Sequence, residues 1–214
     1  MNPVLRRLFM ILLVFPVVFI WLGIRVWQRQ RLPNKGPAII VANHNSHLDV
    51  LTLLSLFPLS FSDQIRPVAA ADYFLKNRWM AWFSQKVIGI IPVVRGGASK
   101  ECDPLAGCIK ALDSGKVIIL FPEGTRGEPE ELSEIKNGLW FLSQKYPEVP
   151  IIPIFTYGLG RAMGKGQWIP TPFFVDIYVD EPLYFIDDKT AFKHQLTARF
   201  HGLQQKSINK DNNQ

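Results

Sequence analysis

Residues 41–50 read VANHNSHLDV, a crowded polar segment at the end of an apolar run. It holds Asn43, His44, Asn45, Ser46, His47 and Asp49. A carboxylate bonded to one imidazole nitrogen fixes the tautomer and favours the imidazolium that forms on proton uptake. The other nitrogen then takes a proton from an attacking hydroxyl. Histidine suits that task because its unperturbed pKa lies near neutrality. A turn between a strand and a helix would bring Asp49 back against His44. His47, however, is two residues from Asp49, so spacing alone leaves either histidine as the base. Two histidines and an aspartate are also permissible zinc ligands. His44 and His47 share a face only if the segment is helical, and the remaining pair, His194 and His201, lie in the tail. A capped polar turn is the third reading.

Cations for a negatively charged substrate are placed at similar points. Arg95 follows a strand-like run at 90–94 and precedes Gly96-Gly97, while Arg126 closes FPEGTR at 121–126. A guanidinium forks onto phosphate oxygens in paired hydrogen bonds that lysine does not reproduce. Two arginines at consecutive strand ends favour an anion site over solvated loop charges. Ser46 does not suggest a serine hydrolase, because no Gly-x-Ser-x-Gly elbow surrounds it. GLGRAMGKG at 158–166 lacks both the Lys-Ser/Thr of a Walker loop and the dinucleotide spacing, and reads as a flexible loop.

These residues need strand ends to hold them. Short apolar runs predict strands at 38–42, 65–70, 90–94, 117–121 and 150–156. Residues 150–156 contain a proline, which predicts an edge position, and FFVDIYVDEP from Phe174 alternates as a half-exposed strand does. Helical spacing covers 49–57, 72–76, 78–87, 99–113 and 132–146, and a short helix followed by a disordered end is expected from Lys189. Phe74, Trp79, Met80, Trp82 and Phe83 recur at helical spacing, read first as core and second as a face toward lipid. Alternating strands and helices imply an α/β fold with both faces of the sheet covered. PNKGP at 33–37 separates an amino-terminal segment, 1–34, from a catalytic-size body, 35–206, and a polar tail, 207–214.

Composition narrows the setting. Residues 1–35 carry Arg6, Arg7, Arg25, Arg29, Arg31 and Lys35 with no acid; setting these six aside from 24 basic residues leaves 18 against 18 acidic ones. A basic excess confined to one apolar end suggests an anionic lipid surface, not nucleic acid. Residues 8–24 are uncharged, a stretch of 17 at the lower limit for spanning a bilayer, with Pro16 as a breaker in its middle. The segment reads as a membrane anchor, spanning or re-entrant, with Trp21 and Trp27 at the interface. Two basic residues precede it and four follow, which predicts a body on the cytoplasmic side. Cys102 and Cys108, six apart in an expected helix, suggest neither a disulfide framework nor a metal site, hence a reducing compartment.

NHNSHLD at 43–49, GIIPVVR at 89–95, FPEGTR at 121–126 and VPIIPI at 149–154 occur in that order. Together they resemble the glycerophospholipid acyltransferase family, and its 1-acyl-glycerol-3-phosphate acyltransferase branch in particular. The resemblance implies a mixed, largely parallel central sheet covered by helices, with an amino-terminal membrane-anchoring helix. It implies that His44 is the general base and Asp49 its orienter. His47 occupies a position commonly aromatic in the family and is expected to pack or cap. Arg95, Glu123, Gly124, Thr125 and Arg126 are implied to bind the acceptor, with Glu123 meeting a glycerol hydroxyl or the arginines, or else capping locally. The implied reaction moves a fatty acyl group from acyl-CoA or acyl carrier protein to the free hydroxyl of 1-acyl-glycerol-3-phosphate, forming phosphatidic acid. Neither a metal nor a bound redox cofactor is expected. The expected partners are a lysophospholipid acceptor, the acyl thioester and membrane lipids, with no nucleic acid. Two other readings are acylation of another lysolipid or of glycerol-3-phosphate, and a catalytically inactive membrane lipid-binding protein.

Overall fold

The computed structural model describes residues 1–74, 77–94, 103–128, 131–164 and 169–211. Seven strands form one sheet: β1 (Ile24–Trp27), β2 (Ala38–Ala42), β3 (Ile65–Ala70), β4 (Ile91–Val93), β5 (Val117–Leu120), β6 (Ile151–Tyr157) and β7 (Val175–Val179). Their order is β1-β7-β6-β2-β5-β3-β4. All neighbours are parallel except β6 and β7, which pair antiparallel. The sheet is therefore mixed and largely parallel, as the resemblance implied. β2 and β5 lie side by side in register from Ala38↔Val117 to Val41↔Leu120, so both chains leave the sheet at the same end.

Helices cover both faces because the central strands are apolar on both. Ile40 and Ile119 point to one core, while Ile39 and Ile118 point to the other, following the two-residue alternation of a strand. The first face receives α1 (Pro3–Trp21) and α2 (Asp49–Ser55), followed by α3 (Leu59–Ser62). The edge beyond β3 carries α4 (Ala71–Phe74) and α5 (Arg78–Phe83), with a wide turn at Ser84–Ile88. The second face receives α6 (Ala106–Asp113), α7 (Gly138–Lys145) and α9 (Lys189–Asp211), while α8 (Leu159–Ala162) follows β6.

The amino-terminal segment is part of this architecture. Met10, Val14, Val18 and Leu22 are buried in the core of the first face, four residues apart. The helix there turns wide, with i→i−5 bonds from Phe15 to Met10 and from Leu22 to Val17, which helps keep a four-residue stripe on one side. It continues through Pro16. Leu12, Leu13, Ile20 and Trp21 face outward and are exposed. The sheet also takes β1 from this stretch, before the expected boundary at residue 34. Its basic residues are partly committed to the body: Arg25 forks onto Asp176 at 2.8 and 2.7 Å, and Arg31 meets Glu181 at 2.9 Å.

Five local expectations are corrected. β6 is central and wholly buried, not an edge strand. Ile151 donates its N–H to Leu183, and Pro153, two residues on and facing the same side just beyond Val179, offers only its carbonyl, which accepts from Asp180 N–H at 2.9 Å. The lost donor falls on that side alone, and the β2 side stays paired from Ile39↔Ile151 to Ala42↔Ile154. β7 is buried throughout, because α9 covers its second face. Residues 131–137 are not helical, since Ser133 and Lys136 give their N–H groups to Glu123 and Pro122. The tail forms a 23-residue helix that buries Phe192, Leu196, Phe200 and Leu203 against the sheet. The aromatic run on α5 is not core either: Trp79 is 79% exposed, and Met80 and Trp82 also face out.

Candidate active site

The loop after β2 and the loop after β5 meet because their strands are parallel neighbours. His44 donates its backbone N–H to Glu123 Oε1 at 3.0 Å, and its carbonyl accepts from Gly127 N–H at 3.0 Å. Glu123 Oε2 accepts from Ser133 N–H at 2.8 Å. Glu123 is 1% exposed, and both carboxylate oxygens serve backbone donors. Its place is behind the histidine, binding three chain segments together.

His44 Nδ1 lies 2.8 Å from Asp49 Oδ2. Asp49, fully buried in the first turn of α2, also accepts at Oδ2 from the N–H groups of Asn45 at 2.7 Å and Ser46 at 2.9 Å. These bonds fix the carboxylate before it fixes the ring. Phe121 stacks on the imidazole at 4.2 Å between centroids, nearly parallel. Asn43 holds the end of β2 to β6: its Oδ1 accepts from Thr156 N–H at 2.7 Å, and its Nδ2 donates to Thr156 O at 2.9 Å. An amide supplies both the donor and the acceptor that this clamp needs. Ser46 Oγ donates to the Met163 carbonyl at 2.7 Å and accepts from Leu48 N–H, which gives it a loop-fixing role.

His47 points elsewhere. Its Nε2 contacts Arg126 Nη1, and partial burial lowers its pKa below 6.5, with Arg126 and then His44 pushing the same way. A neutral imidazole there accepts from the guanidinium. The two histidines thus separate by their partners: His44 is backed by a carboxylate, and His47 braces an arginine. Among the described residues, no three histidine, cysteine or acidic side chains converge as a metal site would require.

These groups line a cleft of about 460 Å³, within the range that holds small-molecule ligands. His44, His47 and Arg126 belong to its polar lining, together with Thr125 and the backbone of Gly124. Gly124 adopts φ +73°, a left-handed turn that a Cβ would strain. The apolar lining comes from Val68, Ala70, Val93, Leu105 and Leu139. Cys108 also faces it, but burial pushes its thiol up to about 12, which keeps it from acting as a thiolate nucleophile. Arg95 and Cys102 lie outside the described residues.

Sequence reasoning missed Lys136 and Asp72, both of which line the cleft. Lys136 precedes α7, 2.9 Å from the exposed Glu134, and no motif marks it. Only the fold of residues 131–137 over the β5 loop brings its side chain beside Gly124, 3.7 Å from where a Cβ there would stand. Arg161 lies in the short helix α8, not in the flexible loop that 158–166 suggested, and stacks over Tyr157 and Phe173.

The sequence profile of the Acyltransferase family matches residues 23–157. A 1-acyl-sn-glycerol-3-phosphate acyltransferase of Brassica napus chloroplasts is 28% identical over 72% of this chain and 43% of its own. One of Bacillus subtilis is 28% identical over 86% of both. The chain spans less than half the length of the first plant relatives it matches. Among solved structures, the 1-acyl-sn-glycerophosphate acyltransferase PlsC of Thermotoga maritima superposes with a TM-score of 0.71 at 21% identity, over 89% of this chain and 75% of that one.

Proposed function

We propose, for a chain that belongs to the Acyltransferase family, that it transfers a fatty acyl group from an acyl thioester to the free hydroxyl of 1-acyl-glycerol-3-phosphate. The observation that carries this is the pairing of His44 with the buried Asp49, in a cleft whose polar lining also holds Arg126. His44 removes the hydroxyl proton while Asp49 holds the ring and stabilises the imidazolium. The alkoxide oxygen attacks the thioester carbonyl, the new ester C–O bond forms, and the C–S bond breaks. The departing thiolate takes the proton back from His44, so no acyl group passes through the protein. Arg126, braced by His47, holds the acceptor phosphate and presents the hydroxyl to the base. Lys136 adds a second cation to the cleft. The apolar lining suits an acyl chain. The outward faces of α1 and α5, with Leu12, Ile20, Trp21, Trp79 and Trp82, seat the domain on the cytoplasmic leaflet.

The relatives named 1-acyl-sn-glycerol-3-phosphate acyltransferases favour this acceptor over other lysolipids. The test measures thiol release from acyl-CoA and from acyl carrier protein with a panel of lysolipids. His44→Ala is expected to lose activity by at least about a thousandfold with the fold intact. Arg126→Lys is expected to raise the acceptor KM with a smaller change in kcat. Activity that survives in His44→Ala and disappears in His47→Ala would move the base to His47.

A further inference from the structure

At the opposite end of the sheet from His44, a second group of cations is assembled around a buried guanidinium. Arg6, in the first turns of α1, is 1% exposed. Its Nη1 donates to the Ile88 carbonyl at 2.8 Å, while Nε and Nη2 are buried with no partner among the described residues. Arg66, at the start of β3, brings its own Nη1 toward the same point. The Met1 sulfur stands between them, 2.9 Å from Arg6 Nη1 and 3.0 Å from Arg66 Nη1. The backbone N–H of Asn2 is tied to Lys86 O at 2.7 Å, and the Lys86 charge, after burial and Arg66, lowers the pKa of the Met1 ammonium. The nearby carboxylate, Asp63, bonds Arg7 at 2.9 Å through Oδ2, and its buried Oδ1 has no hydrogen-bond partner among the described residues.

A buried charge needs a partner of opposite sign. A thioether is a weak acceptor, and here it takes the place where two guanidinium groups would grip an oxyanion. The floor of the group is Gly89, at φ +78°. A Cβ there would lie 2.7 to 2.9 Å from Arg66 Nη1, Met1 Sδ and Arg6 Nη1, so the backbone makes room for this cluster. Burial, and then Arg66, lower Arg6 to about 10, with Asp63 opposing them.

We infer that Arg6 and Arg66 form a binding site for a phosphate-bearing anion, entered by displacement of the Met1 side chain and separate from the catalytic cleft. A lipid phosphodiester and free phosphate share the chemistry it recognises. The site stands on α1, whose outer face is apolar, so a headgroup bound here would hold that helix against a membrane surface. It does not depend on the acyl-transfer reading.

The test uses the full chain in three arms. Binding is measured to phosphatidylcholine vesicles with and without phosphatidylglycerol, and thermal unfolding is followed with inorganic phosphate titrated against chloride at constant ionic strength. Arg6→Met removes the buried charge at similar volume, Arg66→Gln keeps a polar, half-buried side chain, and Arg7→Gln removes an exposed charge from the same helix. Both site variants are expected to lose about tenfold or more of the phosphatidylglycerol-dependent binding, and more than Arg7→Gln loses. Loss of vesicle binding without a phosphate response in the intact chain assigns the site to a headgroup. A phosphate-induced rise in Tm that vanishes in the site variants, with vesicle binding unchanged, assigns it to free phosphate. The inference is overturned if Arg6→Met and Arg66→Gln respond in both arms as the intact chain does, or lose no more than Arg7→Gln.

Discussion

Replacing Glu123 by glutamine tests whether this carboxylate builds the site or touches the substrate. Its two oxygens accept from His44 N–H at 3.0 Å and Ser133 N–H at 2.8 Å, and the side chain is out of solvent. Glutamine accepts one of those donors with its carbonyl oxygen. Its amide nitrogen then confronts the other N–H, leaving two donors facing each other in a buried place. Losing a hydrogen bond to a carboxylate and stranding a buried donor destabilises by about 2–3 kcal/mol. For a chain of this size, that lowers Tm by roughly 5–10 °C. The shift falls on the backbone of His44 or on residues 131–137, so the proposed base moves relative to the acceptor hydroxyl. A displacement of about 1 Å at a reacting centre lowers kcat on the order of a hundredfold. Calorimetry and steady-state kinetics with 1-acyl-glycerol-3-phosphate read both effects. The predicted result is a lower Tm and a lower kcat with the acceptor KM little changed. A variant with unchanged Tm and kcat but a raised acceptor KM would refute the reasoning and place Glu123 on the glycerol.

Two other outcomes follow from neighbouring geometry. His47 is held below 6.5 by burial and by Arg126, so its neutral form belongs to the folded protein. Its contribution to stability is intact above about 6.5 and is lost progressively as the pH falls below that value, since the unfolded chain then binds the proton more readily. Protonation also removes the acceptor that braces Arg126. The acceptor KM should therefore rise as the pH falls below 6.5, and less steeply in His47→Gln, whose amide oxygen still accepts from Arg126; identical KM–pH profiles would count against the brace. Phe200, fully buried on α9, should lose about 3–5 kcal/mol on replacement by alanine. A Tm unchanged in Phe200→Ala would show that α9 is not part of the cooperative fold.

Much of the site could be read along the chain because its chemistry is local. Asn43, His44 and Asp49 lie within one turn, and a strand followed by a polar turn and a helix is enough to fold Asp49 back onto the imidazole. The apolar runs at 38–42 and 117–121 needed only their own composition to be recognised as buried strands. What the sequence left open was which of two histidines faced which partner, and tertiary structure decided it: β2 and β5 lie side by side, so Arg126 arrives at His47 while Asp49 keeps His44. Glu123 behaves likewise, since nothing in FPEGTR reveals that its carboxylate will meet the backbone of a residue 79 positions away. Pro153 misled for the same reason. A proline removes a donor, and whether that donor was wanted depends on where the neighbouring strand stops. The amino-terminal segment shows the limit most clearly. Its hydropathy predicts a lipid-facing helix, yet burial of Met10, Val14, Val18 and Leu22 against the sheet depends on a surface assembled from strands far along the chain. Sequence determined which side chains could do chemistry and which segments had to be buried. The fold alone decided which of them would meet, because parallel pairing brings together residues that the chain keeps apart.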